Sequence, residues 1–284
     1  MFIPGGFHVI QKFLFVFLTG TVILCPQPLW AAHPKSPTLI ETQLSYYYYD
    51  YRETLPMPYK SNELGWMPGA SLRLGNMDVA GSGFADFLAD YAQSPTVYDG
   101  STQSGIPVLD QSQHVFINLE GRLGRWLTPP DWDRFAVNGY AGAGYRYWNR
   151  SVAGEYNEQY SWKYLSLGFN PSLALIQGLS LGIELTIKQM LDGHMKLYLD
   201  DSTALDFDLG NKAGYKICVP LVYQPHPDWK IKWAPWYEYS AIGRSNSIYG
   251  YYDNGADTYY YEIYEPASQT VQYGVSMAVL FTLE

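Results

Sequence analysis

The sequence predicts an all-β fold, an antiparallel up-and-down β-barrel that crosses a membrane, and three observations carry that reading. Apolar and polar residues alternate with period two through most of the chain, the pattern of strands with one apolar face. The connections between those segments alternate between short and long, as in barrels with turns on one rim and loops on the other. The composition is aromatic-rich and charge-poor: 17 % aromatic and 16 % charged, against roughly 25 % charged in an average soluble domain. A surplus of 27 acidic over 18 basic residues gives a net charge of −9, which argues against nucleic acid, whose phosphates call for Lys and Arg.

The elements follow in order. Lys12 precedes an apolar run from Phe13 to Leu24, followed by Pro26, Pro28 and Ala31-Ala32. The run is too short for a spanning helix, which takes about 20 residues, and residues 1–32 read as a cleaved secretory signal. Residues 33–284 then form the barrel domain. Loss of Cys25 leaves Cys218 as the one cysteine of the mature chain, so no intrachain disulfide is expected.

Ten strands are expected at 39–53, 65–76, 80–92, 112–125, 134–149, 158–171, 179–192, 212–224, 230–243 and 269–284. The last shows the pattern best: Val271, Tyr273, Val275, Met277, Val279 and Phe281 face one way, Gln272, Gly274, Ser276 and Ala278 the other. The third is ambiguous, because Phe84, Phe87, Leu88 and Tyr91 fall at helical spacing behind Ser82. Were it a helix, the barrel would have eight strands. Short turns are expected at Pro129-Pro130-Asp131 and Pro225-His226-Pro227-Asp228. A soluble β-sandwich would need polar outward faces. Here the apolar parity carries Tyr46, Tyr48, Tyr145, Tyr147 and Trp233 near strand ends, as aromatic girdles at two membrane interfaces require.

The polar parity lists the expected interior. It holds the acids Glu41, Asp86, Asp90, Glu120, Glu184 and Glu238, and the bases Arg73, Arg122, Arg146, Lys188, Lys216 and Lys232. Narrow barrels fill with side chains, whereas open channels take about 16 strands. Charges in a narrow lumen must pair, so a closed, salt-bridged interior is expected.

The outer loops are tyrosine-rich. Residues 244–268 read as a hairpin around Asp253-Asn254-Gly255, carrying Tyr249, Tyr251, Tyr252, Tyr259, Tyr260 and Tyr261 as candidate binding residues. Strands nine and ten are expected to continue into it above the membrane, and strands five and six to do the same around 154–164. The His residues show no metal-ligand spacing, so neither a metal nor a cofactor is expected.

One local element adds a resemblance. Asp192-Gly193-His194 ends the seventh strand, and alternation places Asp192 and His194 together on the inward parity. With that element the chain resembles the omptin-type outer-membrane barrels, which are ten-stranded, rise far above the membrane and include endopeptidases. The resemblance implies a dyad in which Asp192 orients His194 and His194 activates a water. It also implies a facing Asp pair. No Asp-x-Asp stands near the second outer loop; Asp131-x-Asp133 falls at the opposite rim and Asp206-x-Asp208 in the dyad's own loop.

The role expected first is a surface, structural or adhesin-like barrel in the outer membrane of a Gram-negative bacterium. An omptin-like endopeptidase using Asp192 and His194 is the alternative, and a narrow solute channel the second. The expected partners are outer-membrane lipid and lipopolysaccharide, the barrel assembly machinery, and an extracellular glycan or protein.

Overall fold

A computed structural model describes residues 38–79, 83–101, 105–128, 132, 134–152, 156–199, 203–253 and 258–283. The signal read at 1–32, the turn at 129–131 and the tip at 254–257 lie outside the described residues. Fifteen strands follow in order: β1 (Thr38–Glu53), β2 (Ser61–Val79), β3 (Gly83–Ser101), β4 (Pro107–Trp126), β5 (Phe135–Val152), β6 (Tyr156–Ile176), β7 (Leu179–Gly182), β8 (Glu184–Tyr198), β9 (Ala204–Leu209), β10 (Ala213–Cys218), β11 (Leu221–His226), β12 (Trp229–Ile242), β13 (Ile248–Asp253), β14 (Thr258–Ile263) and β15 (Ser268–Leu283).

These make ten staves, because β7 and β8 form one and β9, β10 and β11 another. Every neighbour pair is antiparallel, and β1 pairs with both β2 and β15 to close the ring. The interrupted staves have a local cause. Pro171, Pro220 and Pro235 have no N–H to give a ladder, and their carbonyls accept from Ile183, Gly182 and Val219 where β7 and β10 end and β8 and β11 begin.

The third stave is a strand throughout, paired with β4 from Gly83↔Arg125 to Ser101↔Pro107, so the eight-strand alternative does not hold. Phe84 and Asp86 are buried while Phe87 and Tyr91 face out. Acids inside the barrel blur the apolar alternation, and that produced the helical spacing.

The outward face carries an apolar belt including Leu44, Leu74, Leu123, Leu165, Leu167 and Met277. Girdles bound it. At the outer rim Tyr46 stacks on Trp66 at 5.1 Å, and Tyr48 meets Tyr273 at 5.4 Å. At the opposite rim Trp132 packs on Phe135 at 5.9 Å. This is the band and girdle pattern of a barrel in lipid.

Inside, the pairs expected from the polar parity form in layers. Nearest the short-turn rim, Arg73 binds Asp86 at 2.5 Å and Lys232 binds Glu41. Above them Arg122 binds Glu120 at 2.8 Å, and Tyr164 and Ser166 donate to the same carboxylate. Glu238 then gathers Lys188 at 3.1 Å, Arg146 at 3.3 Å and Lys216 at 3.9 Å. A cavity of about 90 Å³ lies beside that group, lined by Asp90, Asn118, Thr186 and Gln272 among others. Gly144 and Gly168 give large rings their room: a Cβ there would overlap the rings of Tyr164 and Tyr140.

The outer half is closed by an aromatic plug. Tyr49, Tyr51 and Tyr160 are fully buried, Trp148 stacks on Tyr160 at 4.3 Å, and Phe116 and His114 continue the stack. Offset aromatic pairs add about 0.5–1.5 kcal/mol each beyond the area they bury. The plug holds because β1, β2, β4 and β5 rise beyond the outer girdle and keep pairing there.

Candidate functional site: the outer mouth, its hairpin and the outer wall

Three arrangements at the outer end carry chemistry. The first lies just under the mouth, above the membrane. Arg150 on β5 is its hub, binding Glu63 and Glu158 at 2.7 Å each and Glu53 at 3.2 Å. His114 on β4 binds Glu63 as well, and Ser112 and Thr96 donate to it. The Trp148 indole N–H donates to His114 Nδ1 at 3.0 Å, which leaves Nε2–H to face Glu63. Burial alone would raise the Glu63 carboxyl, but Arg150 and the hydrogen bond from His114 outweigh it and hold it at about 2.

Glu265 completes the cluster, with no ion pair of its own among the described residues. Tyr160 Oη lies 2.7 Å from it and 2.9 Å from Glu158, while Tyr51 Oη lies 3.5 Å from it and 3.2 Å from Glu53. Burial, then the charges of Glu53 and Glu158, push its carboxyl well above the ordinary range.

Sequence reasoning missed this cluster for a definite reason. The expected second and fifth strands stop too early, at 65 and 149, which leaves Glu63 and Arg150 in loops; Glu265 lies in the link between β14 and β15, where alternation carries no signal. The signal that could have found the first two was the continued alternation of Glu63 with Gly65 and of Arg150 with Trp148.

The second arrangement is the tyrosine hairpin. β12 and β15 do not run on into it. β12 ends at Ile242, Gly243 bridges Gly210, and β13 and β14 form a separate two-stranded sheet. The close approach of Gly243 and Gly210 lets the chain turn there. β13 pairs with β14 from Ile248↔Ile263 to Asp253↔Thr258, placing the backbone of Tyr252 opposite Tyr259. Tyr249, Tyr251, Tyr260 and Tyr261 are exposed, Tyr260 by 84 %. Glu262 ties the base, taking hydrogen bonds from Arg244 at 2.7 Å and from Ser247. Ser245 and Glu265 join the foot: the Ser245 N–H donates to the Glu265 carbonyl at 3.0 Å, and the Glu265 N–H donates to Ser245 Oγ at 2.8 Å.

The third is the dyad. Asp192 and His194 lie 3.2 Å apart, yet they face the outside of the barrel, not the lumen. Two residues of β8, Asp192 and Gly193, oppose the one residue Trp162 of β6, a β-bulge that reverses the parity beyond it. Asp192 has φ +53°, the conformation a bulge asks of a residue that Asp tolerates. Met190 and Met195 thereby stay inside while His194 is half exposed. Its Nδ1 contacts Asp208 at 2.9 Å, and Lys163 holds Asp192 at 2.6 Å. Because these are solvent-screened pairs, His194→Ala is expected to leave the urea midpoint of the folded protein unchanged in detergent micelles. Among the described residues no group of His, Cys, Asp and Glu could hold a metal.

No family model matches, and no curated protein sequence matches. Among solved structures, the outer membrane protease OmpT of Escherichia coli is similar at TM-score 0.55 and 12 % identity, over 90 % of this chain and 99 % of that one. With the lipid-facing belt, this decides the class. The chain has the fold of an outer-membrane β-barrel. It resembles the omptin-type barrels in that fold. The barrel is also similar to the translocator domain of autotransporter NalP from Neisseria meningitidis, at TM-score 0.41, 8 % identity and 95 % of each chain. Ail, the attachment invasion locus protein of Yersinia pestis, matches at TM-score 0.34 and 13 % identity, over 87 % of this chain and 99 % of that one.

Proposed function

We propose that this barrel is a surface-display protein, adhesin-like in role, whose binding element is the β13–β14 hairpin. The observation that carries the reading is the exposure of Tyr249, Tyr251 and Tyr260, by 75, 71 and 84 %, on a sheet set apart from the barrel ladder. An isolated two-stranded hairpin is marginal in water, so large rings held out on one are costly without a partner. Tyrosine suits such work because it brings a rigid apolar face and a polar tip. The partner is an extracellular glycan or protein. Lipid and lipopolysaccharide surround the wall, and the barrel assembly machinery inserts it.

The test is a doubly substituted protein, Tyr251→Ser with Tyr260→Ser, refolded beside the unmodified chain and applied to glycan arrays and host-cell surfaces. Binding by the unmodified barrel and its loss in the variant are expected. No binding by either, or equal binding by both, sinks the proposal.

A peptidase reading draws support from the contact of His194 with Asp192 and Asp208. It requires a substrate approaching along the outer wall rather than from a lumenal cleft. Peptide cleavage that disappears in His194→Ala would establish it. A channel reading has against it the buried plug of Tyr49, Tyr51, Trp148 and Tyr160. Silence in planar bilayers at high salt is expected.

A further inference from the structure

The foot of the tyrosine hairpin is seated in the one part of the outer cluster where charge does not balance. Four carboxyl groups, Glu53, Glu63, Glu158 and Glu265, meet there around the single guanidinium of Arg150. Arg150 reaches the first three directly. Glu265 reaches only hydroxyl groups, those of Tyr160 and Tyr51, among the described residues. Each hydroxyl has one proton and lies between two carboxyl groups. If all four acids were ionised, each hydroxyl could satisfy one neighbour and would leave the other facing it, acceptor to acceptor. One added proton removes the conflict at Tyr160, where the contacts are the shorter. A protonated Glu265 donates to Tyr160, and Tyr160 donates to Glu158, which Arg150 also holds.

We propose that Glu265 is a proton-operated latch: protonated, it seats the β13–β14 hairpin on the barrel mouth, and on losing its proton it releases the hairpin foot. The inference rests on reading the hairpin as the binding element, and it names how that element would be regulated. The groups that face Glu265 are Tyr51 and Glu53 from β1, Arg150 from β5, and Glu158 and Tyr160 from β6, with Glu63 from β2 on the far side of Arg150. Tyr98 on β3 and His114 on β4 lie in the shell behind Glu63. From the hairpin side the contact is Ser245, joined to Glu265 by both backbone and hydroxyl. Losing the Glu265 proton places a new anion beside Glu53 and Glu158, whose one neighbouring cation among the described residues, Arg150, is already shared by three carboxylates. A released foot puts that carboxyl in water, where its pKa returns to the ordinary range.

The sign follows. The seated state holds one proton that the released state gives up, so seating is strongest in acid. It weakens as pH rises from the ordinary carboxylate range to the raised value of the buried group. Over that interval the released fraction grows about tenfold per pH unit, the slope of one proton.

Hydrogen exchange of residues 244–265, corrected for intrinsic rate and followed between pH 5 and pH 9 in the refolded barrel, tests this. The unmodified protein is expected to show that slope and Glu265→Gln to show none, since the amide does not ionise. A flat profile in the unmodified protein, or an unchanged slope in Glu265→Gln, overturns the latch. Should Glu265→Gln fail to fold, Tyr160→Phe serves: loss of the hydroxyl between Glu265 and Glu158 is expected to move the onset of release by a pH unit or more. An unmoved onset overturns the relay. Because exchange is read without a ligand, failure of glycan or protein capture would remove the binding role and leave this result intact.

Discussion

Arg150→Met is expected to lower the stability of the folded barrel by about 3–5 kcal/mol, the cost of leaving buried charge without its partner. The methionine keeps most of the side-chain length and removes the charge that Glu53, Glu63 and Glu158 share. Arg150 is almost fully buried and Glu63 entirely so, hence water cannot replace the lost guanidinium without opening the plug. Urea unfolding in detergent micelles, read by tryptophan fluorescence, measures the loss, with Arg52→Met as control because Arg52 is exposed and, among the described residues, pairs with Asp50 alone. The deficit should shrink on acidification. Glu63, held at about 2 by Arg150 and His114 against its burial, would rise in pKa without Arg150 and take up a proton as pH falls. In the unmodified protein the Glu63 contribution is present above the ordinary carboxylate range and fades as pH drops toward 2. Equal midpoints for Arg150→Met and Arg52→Met would show the cluster to be energetically idle.

The second large effect is expected at Glu238→Gln, again about 3–5 kcal/mol. Lys188, Arg146 and Lys216 converge on this carboxylate from three different staves. The amide preserves size and shape and leaves three cations facing one another in the lumen. Asp90 lines the same cavity but makes no ion pair within 4.0 Å among the described residues, so it offers an incomplete substitute. The folding yield in micelles, judged from the faster gel mobility of unheated barrel, should fall along with the urea midpoint. A variant within about 0.5 kcal/mol of the parent, the scatter of ordinary surface substitutions, would mean that lumenal water solvates these cations.

Much of the barrel was readable because its physics is periodic. The ten staves, the girdles at Tyr46 and Tyr145, and the lumenal set from Glu41 to Glu238 all follow from which parity a residue occupies. That reasoning fails wherever the parity is broken or its range misjudged. At Asp192 one extra residue in the strand sends His194 outward, a switch decided by the burial of Met195 and invisible in the local residue types. At Arg150 the alternation was intact, but the strand was cut where the membrane ends, although pairing continues above it. The hairpin at 248–263 was legible as a hairpin. Its detachment from β12 was not, because that depends on Gly210 and Gly243 meeting across thirty-odd residues of intervening chain.

The placement of the hairpin has a mechanical consequence. A short link joins β12 to β13 and another joins β14 to β15, and β12 and β15 lie side by side, paired from Trp229↔Phe281 to Ile242↔Ser268. A pull on the hairpin tip is therefore transmitted along the length of both strands. Their hydrogen bonds run across that direction, so the bonds to the neighbouring strands β1 and β10 resist in shear, all at once instead of one after another. The same tug applied across the sheet would peel the bonds singly. An object held at the tip is in effect moored to the barrel wall along its grain.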